Sequence, residues 1–235
     1  VPVRALLDRV RAASTSFVRV TGFDDTQQRT QTSVPGASWI FSREDLEQAG
    51  AFVATGMNGG PLPIDHGSPA RLVVPGWYGC VCIKWITGID VVGADERPTA
   101  QMQEFAERTH QVGPGGVPTR ARDFRPAVMD LAAMPIRVEQ WQLADSRVYR
   151  VVGVRWGGST RTPALTIRFR HDQRFVRVEQ SPEPASTTTW SLWAHTWRPE
   201  SSGRYQIALG VADPTIRTRR LDLYFYVREV EVVDV

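Results

Sequence analysis

The second half of this sequence is a succession of short apolar segments, and this pattern limits the possible folds more than any other feature. About seven strand-like segments fall within about 100 residues, as in a β-sandwich. They are 136–143, 148–156, 164–169, 175–180, 188–197, 205–212 and 221–233. Turn-forming residues separate most of them, for example Gly157-Gly158 and Asp213-Pro214. We therefore predict an antiparallel β-sandwich over residues 134–235 and interpret most of its tryptophans as core residues.

The first half mixes helical and strand-like patterns, so the whole chain is predicted to be α+β. Helical spacing of apolar residues predicts helices over 3–13, 43–50 and 99–110, with Ser42 as an N-cap. Strands are predicted at 17–21, 51–57 and 71–75, and a loop at 113–125. We place the boundary between the two domains after residue 133, giving domains 1–133 and 134–235.

Composition indicates a folded protein and argues against two classes of function. Apolar residues make up 42% and charged residues 23% of the 235 residues, and no run of 18 apolar residues is present to span a membrane. The net charge is +3, but the charges are interspersed and form no basic run. A nucleic-acid partner is therefore not expected.

The segment 57–85 carries the densest chemistry in the chain. Its sequence, MNGGPLPIDHGSPARLVVPGWYGCVCIKW, combines turn residues with an Asp-His pair, an arginine and a lysine. A proline ends the apolar run at Val74, and a tight turn is predicted from Gly76 to Lys84. Backbone N–H groups beside a cation suit an anionic, phosphorylated ligand.

Lys84 is unusual because it is the only lysine among 28 basic residues, which leaves 27 arginines. An ammonium is a compact point charge on a thin stem, whereas a guanidinium is a broad planar fork. A narrow anion pocket favours lysine. A chance surface lysine is the alternative.

On these residues the segment resembles the sulfite oxidase family of molybdopterin enzymes. The similarity rests on Asn58-Gly59, Pro61-Leu62-Pro63, Asp65-His66-Gly67, Pro69, Arg71, Pro75-Gly76, Gly79 and Lys84-Trp85. A weaker similarity at 22–25 and 35–39 matches a preceding cofactor loop of the family, and the C-terminal part resembles the family's immunoglobulin-like dimerisation domain. The resemblance implies a partial molybdopterin-binding domain followed by an immunoglobulin-like antiparallel β-sandwich.

The resemblance also implies a set of residues that contact the molybdopterin (Mo cofactor). These are Asp24, His66, Arg71, Cys82, Ile83 and Lys84, with Cys82 contributing through its backbone. Arginine and lysine could neutralise a phosphate, and an aspartate could accept from a pterin N–H group. A loop histidine with ordinary partners, and common turn chemistry for Asp24, are the alternatives.

The two cysteines, Cys80 and Cys82, do not form a recognisable metal or haem site, and packing in a turn is the favoured interpretation. In the family pattern the cysteine that binds molybdenum precedes the segment 57–85, whereas here no cysteine precedes Cys80. We therefore expect this chain to be a C-terminal portion that has no oxidase activity by itself, that can hold the cofactor only incompletely, and that contributes no metal ligand.

A second departure concerns substrate. Sulfite-oxidising members carry a tyrosine where this chain has Phe105 or Ala106. The missing hydroxyl removes a polar contact, so the resemblance favours oxygen-atom transfer on a small molecule without favouring sulfite. The implied partners are a second copy of the chain and an external electron acceptor such as cytochrome c, in the periplasm. The alternative is a non-catalytic relative that kept the fold for assembly.

Overall fold

The fold is described from a computed structural model that covers residues 1–24, 36–111, 116, 121–143, 146–159, 164–170 and 173–233. The chain divides into two compact units, Val1–Val128 and Met129–Val235. Each unit has its own hydrophobic core. Within the described ranges, no helix combines the length and the apolar character that crossing a membrane requires.

In its described residues, the first unit combines three helices with seven short strands. The helices are α1 (Val3–Arg9), α2 (Arg43–Gln48) and α3 (Ala100–Thr109). The strands are β1 (Phe17–Gly22), β2 (Ser38–Ser42), β3 (Phe52–Ala54), β4 (Gly56–Met57), β5 (Gly60–Pro61), β6 (Arg71–Val73) and β7 (Ile86–Val92). Short 3-10 helices at Ile64–His66 and Gly79–Val81 complete the unit.

The main sheet of this unit has the order β2-β1-β7 and is antiparallel throughout. Alternate residues of β1 face the core, where Val18 and Val20 are fully buried. Its partners β2 and β7 were not predicted. The apolar run of β2 is too short to distinguish a strand from other buried segments, and in β7 the residues Gly88 and Asp90, which strands disfavour, interrupt the pattern. Because β1 and β7 are antiparallel, the end of β1 lies beside the start of β7. The strand β7 directly follows the Lys84 turn.

One local prediction in this unit is confirmed by the geometry, and the predicted helix ends are corrected. The Ser42 hydroxyl accepts a hydrogen bond from the Asp45 backbone N–H at 3.0 Å and so caps α2. Each helix ends earlier than predicted: α1 stops at Arg9, before Arg11 adopts φ +52°. The predicted loop at 113–125 lies in part outside the described residues.

The segment predicted as one strand at 51–57 instead forms two, β3 and β4. Asn58 and Gly59 both have positive φ and close a two-residue hairpin between β4 and β5. Asn-Gly is the dipeptide that this kind of turn favours, because both central residues must adopt φ above zero.

Besides a short 3-10 helix at Tyr224–Tyr226, the described residues of the second unit form seven antiparallel strands, as the sequence pattern predicted. They are β8 (Ala132–Leu143), β9 (Ser146–Trp156), β10 (Leu165–Arg168), β11 (Val176–Arg177), β12 (Ser191–Trp197), β13 (Gly203–Val211) and β14 (Arg228–Val232). The predicted boundary after residue 133 lies inside β8, since Pro135 obscures the strand pattern at its start. The domain roles of the two units remain a prediction.

The strands form two sheets with the orders β12-β9-β8 and β11-β10-β13-β14. The first, second and fifth strands of the unit thus share one sheet and the others share the second. The seven-strand immunoglobulin arrangement differs only in the fourth strand, which there joins the first sheet, whereas here β11 pairs with β10. The Tyr205 hydroxyl donates to the Ser201 carbonyl at 2.7 Å. A tyrosine that bonds back to the chain just before the sixth strand is a hallmark of the same architecture.

Aromatic rings fill the core between these sheets, as interpreted from the sequence. The Trp197 ring stacks on Phe169 with centroids 4.3 Å apart and meets the Tyr205 ring edge-on at 4.7 Å. Trp193 is 1% exposed. Trp190 and Trp141 are the exceptions, since both are exposed to solvent.

His195 gives the second unit a predicted dependence on pH. Its ring is buried, stacks on Phe169, and has an Nδ1 atom without a hydrogen-bond partner in the described part of the chain. Burial lowers the pKa of His195, while the nearby Glu179 carboxylate opposes part of that shift. The folded-state pKa lies below the unfolded value of about 6.5, so the folded state favours the neutral ring. The contribution of the neutral His195 ring to the free energy of unfolding is therefore fully present above that pH and is lost as the pH falls below it.

We therefore expect the free energy of unfolding to fall between pH 7.5 and pH 5 by less in His195→Leu than in the unsubstituted chain, as measured by urea denaturation. Leu143→Gln provides the control, since it changes an exposed side chain of the same unit and removes no titrating group, and it should keep the full pH dependence. An equal pH dependence in all three proteins would show that His195 does not titrate with unfolding.

Candidate cofactor site

Three consecutive backbone carbonyls define the centre of the site. The Ile64 carbonyl accepts from the Trp85 indole Nε1 at 2.8 Å, the Asp65 carbonyl accepts from Lys84 Nζ at 2.6 Å, and the His66 carbonyl accepts from Arg71 Nη1 at 3.1 Å. These carbonyls belong to the 3-10 helix Ile64–His66. The loop that carries the exposed His66 side chain is therefore attached at three successive points.

Gly67 lets this loop approach the Lys84 turn closely. It has φ +103°, and a Cβ placed there would lie 2.8 Å from Lys84 Cβ and 3.0 Å from its Cα. Glycine satisfies both requirements, since it tolerates positive φ and has no side chain to collide. The Trp85 N–H donates to the Gly67 carbonyl at 3.3 Å, and this hydrogen bond holds Gly67 against the residues of the turn.

Gly22 makes a second close approach at the end of β1. A Cβ there would lie 2.1 Å from the Lys84 carbonyl oxygen and 2.8 Å from Ile83 Cγ2. The next residue, Phe23, donates its N–H to the Trp85 carbonyl at 2.9 Å. These contacts bring Asp24, one residue further on, to the same end of the sheet as Lys84.

Asp24 is exposed, and its side chain is already engaged. One carboxylate oxygen accepts from the Gly36 N–H at 2.6 Å, which ties together the two ends of segment 25–35, itself outside the described residues. The second oxygen remains as an acceptor. Both the ligand-binding and the turn-forming interpretation of Asp24 are compatible with this geometry.

Cys82 and Ile83 belong to the turn that ends at Lys84, and their backbone groups are what a ligand could contact. Fewer of the backbone N–H groups in this turn are free to bind a ligand than the sequence suggested. The N–H groups of Val81, Cys82 and Ile83 donate to carbonyls within the turn itself. The Cys82 carbonyl accepts from Arg71 Nη2 at 3.4 Å, and the Ile83 carbonyl accepts from the Leu72 N–H at 2.8 Å. Since a carbonyl has two lone pairs, each can still accept a second bond.

The two cysteines behave as packing residues. Both are free and half-buried, and both pack against the hydrophobic core of the first unit. Burial raises the pKa of the Cys80 thiol to about 11, so it is protonated at neutral pH. In the described ranges, no group of three or more His, Cys, Asp or Glu residues could hold a metal ion.

The site has unused capacity for an anion on its cationic side chains. Arg71 Nε is buried and has no acceptor in the described part of the chain, although both terminal nitrogens of that fork donate to carbonyls. Lys84 uses one of its three ammonium hydrogens on Asp65 and lies 5.3 Å from the Trp85 ring centroid. Two cations, the exposed His66 and a carboxylate thus suit a ligand with a phosphate and polar ring atoms.

The structure brings together the predicted residues, and it adds three that sequence reasoning did not assign to the site: Gly22, Gly67 and Trp85. Glycines within the motif were the only available signal for the close approaches. At the tyrosine position of the sulfite-oxidising members, neither Phe105 nor Ala106 has a hydroxyl group. Ala106 is buried, and Phe105 is partly buried against the hydrophobic core of the first unit.

Sequence comparisons connect the chain to known oxidoreductases. The sequence model described as "Oxidoreductase molybdopterin binding domain" matches residues 1–100. Mitochondrial sulfite oxidase of Macaca fascicularis is 30% identical over 67% of this chain, and the human protein is 29% identical over the same share. Nitrate reductase [NADPH] of Fusarium oxysporum is 30% identical over 48% of the chain and 13% of its own length.

The chain spans about a third of the length of these sulfite oxidases, covering 30% of each. In structure it resembles the sulfane dehydrogenase SoxCD from Paracoccus pantotrophus, with a TM-score of 0.58 and 19% identity over 92% of this chain and 51% of that one. At this identity the match supports the fold only. Taken with the motif at 58–85, the comparisons show that this chain belongs to the sulfite oxidase family of molybdopterin-binding oxidoreductases.

Proposed function

We propose that this chain forms part of an oxidoreductase that uses a molybdenum cofactor for oxygen-atom transfer to or from a small molecule. The single observation that carries the proposal is the convergence of Arg71 and Lys84 on the loop that presents His66. These hydrogen bonds hold the cationic and polar donors in one fixed arrangement. It thereby favours a ligand with an anionic end and a polar ring.

The described residues can divide the binding task between them. Lys84 and Arg71 Nε would neutralise the phosphate, and His66 would donate to the phosphate or to a pterin atom. Asp24 and the carbonyls of Cys82 and Ile83 would accept from pterin N–H groups. When bound, the cofactor supplies the oxygen-atom transfer itself, while the protein binds and orients it.

The same chemistry requires a route for electrons. Oxidation of a substrate by oxygen-atom transfer leaves two electrons, and we propose that an external acceptor such as cytochrome c removes them in the periplasm. We do not assign sulfite as the substrate, because neither Phe105 nor Ala106 offers the polar contact expected at the tyrosine position.

Removing the Lys84 ammonium tests the proposed cofactor site. We expect Lys84→Ala to weaken cofactor retention because a charge-assisted contact of about 1.5–3 kcal/mol is lost, a decrease in affinity of roughly ten- to a hundredfold. The measurement is molybdenum by mass spectrometry of metals and pterin by fluorescence of its oxidised form, in the natively expressed protein.

Arg9→Gln is a suitable control, since Arg9 is an exposed cation at the end of α1. Circular dichroism of both variants separates loss of cofactor from loss of fold. Molybdenum and pterin contents equal to those of the unsubstituted protein in Lys84→Ala would rule out the assignment of Lys84.

One observation favours a second candidate, a non-catalytic relative that retains the fold. Lys84 and Arg71 already donate to protein carbonyls, so the loop is held together by its own contacts. A natively expressed protein without molybdenum or pterin would support this candidate over the first.

We further propose that the second unit forms a homodimer through the exposed face of its β12-β9-β8 sheet. An apolar groove of about 590 Å³ lies there, lined in part by Ile136, Trp190 and Leu192. These three side chains are 44%, 66% and 49% exposed. Contiguous exposed apolar surface is typical of protein interfaces.

A charge in the groove should prevent this association. We expect Leu192→Glu to be monomeric under conditions in which the unsubstituted chain is dimeric, because a carboxylate would have to be buried without a partner. Light scattering coupled to size-exclusion chromatography measures the masses. Leu143→Glu is the control, since Leu143 is exposed on β8 but does not line the groove; a dimeric Leu192→Glu protein would contradict the proposed face.

A further inference from the structure

A cavity of about 290 Å³ lies beside α3 in the first unit, and none of the predicted cofactor residues lines it. Its apolar wall includes Trp39, Met102 and Ala106. Met102 and Ala106 are four residues apart on α3 and therefore lie on one side of the helix.

The polar part of the lining carries an excess of positive charge. Arg122 and Arg125 line the cavity and are exposed, and their guanidinium groups form no ion pair or hydrogen bond within the described part of the chain. The one lining carboxylate, Asp123, accepts from the Arg125 backbone N–H at 3.2 Å. The Asp123 carboxylate is therefore engaged by the backbone of its own turn, while the two guanidinium groups remain available to pair with an anion.

His110 completes the polar side of the lining. Its Nε2 lies 3.0 Å from the Pro126 carbonyl and donates to it, since a carbonyl oxygen can only accept. Nδ1 lies 3.0 Å from Thr109 Oγ1, and the Thr109 hydroxyl also lies 3.0 Å from the Phe105 carbonyl. Both ring nitrogens are thus engaged, and the histidine ring is fixed in place beside the two arginines.

We infer that this cavity binds a small organic anion, a carboxylate or sulfonate attached to an apolar body. The anionic group pairs with Arg122 and Arg125, and the apolar body lies against Trp39, Met102 and Ala106. The volume is at the low end of small-molecule sites, so the ligand is compact. A bare inorganic oxyanion satisfies the cations but leaves the apolar wall uncovered. The inference goes beyond the proposed function and does not depend on the cofactor.

Calorimetric titration with benzoate tests this inference, with benzyl alcohol as the uncharged analogue and sulfate as the inorganic anion. Benzoate should bind at a single site and more tightly than either of the others. Arg125→Gln should weaken benzoate binding about tenfold or more, since a charge-assisted contact is lost. Ala106→Leu, which fills the cavity from the helix side, should abolish it.

Arg9→Gln again serves as the matched control and should bind benzoate unchanged. Circular dichroism and thermal melting show whether each variant is folded, and the two lining substitutions act from different elements, so a folding defect in one leaves the other informative. Benzoate binding that is absent, equal to that of benzyl alcohol, or unaffected by both Arg125→Gln and Ala106→Leu would overturn the inference.

Discussion

Gly22→Ala is expected to destabilise the first unit severely and to abolish cofactor retention with it. An alanine Cβ would lie 2.1 Å from the Lys84 carbonyl oxygen, far closer than non-bonded atoms can approach. The strand end is held by the hydrogen bond from the Gly22 N–H to the Ala37 carbonyl at 2.7 Å, and the turn is held by the bond from the Leu72 N–H to the Ile83 carbonyl at 2.8 Å, so one of these two segments must move. Overpacking of this kind typically costs 1–3 kcal/mol and sometimes more, and we expect about 3 kcal/mol here.

Urea denaturation measures this loss, and hydrogen exchange of amides in residues 1–128 assigns it to the first unit. Gly88→Ala is the matched control on the neighbouring strand β7, where Gly88 pairs with Thr21. A Cβ at Gly88 meets only an Asp90 carboxylate oxygen at 3.7 Å, an ordinary contact. Equal stability of the two variants would show that the close approach of β1 to the Lys84 turn is not present.

Trp197→Ala is expected to have a comparable or larger effect on the second unit. The Trp197 ring is 6% exposed and contacts the rings of Phe169, Tyr205 and Tyr149. Truncation removes buried apolar surface and leaves a cavity that these three rings cannot fill. Substitutions of this type cost about 3–5 kcal/mol, which is a large part of the stability of a typical domain.

Trp141→Ala is the control, because it removes an exposed tryptophan from the same unit and should therefore cost much less stability. Trp141 is 43% exposed, and its main partner is the Arg150 guanidinium, 5.4 Å from the ring centroid. An exposed contact of that type is worth about 0.5–1 kcal/mol. Urea midpoints that shift equally in the two variants would contradict the assignment of Trp197 to the core.

The second unit could be predicted from the sequence because its strands are separated by clear turn signals. The Greek-key division into two sheets could not, since pairing of β10 with β13 depends on contacts about 40 residues apart, which local periodicity does not report. Short elements were predicted less well. Of the segment 175–180, only Val176 and Arg177 form a strand, because β11 lies at a sheet edge and pairs with two residues of β10.

The residues of the candidate site could be predicted, but not how they are used. Family resemblance indicated Arg71 and Lys84 as phosphate ligands, whereas within the described residues these side chains donate to the carbonyls of Asp65, His66 and Cys82. No spacing rule predicts such bonds, because they depend on the register with which the Lys84 turn crosses the loop. Their roles toward a cofactor remain predictions.

The attachment of three successive carbonyls has a consequence for the dynamics of the His66 loop. Opening the loop requires the bonds from Trp85, Lys84 and Arg71 to break together, so we expect fluctuations here to be rare and concerted. A ligand would then meet a loop that is ordered before binding, and little conformational entropy would remain to be lost on association. Loosening any one of the three donors would restore that cost, which makes their effects on ligand affinity interdependent rather than additive.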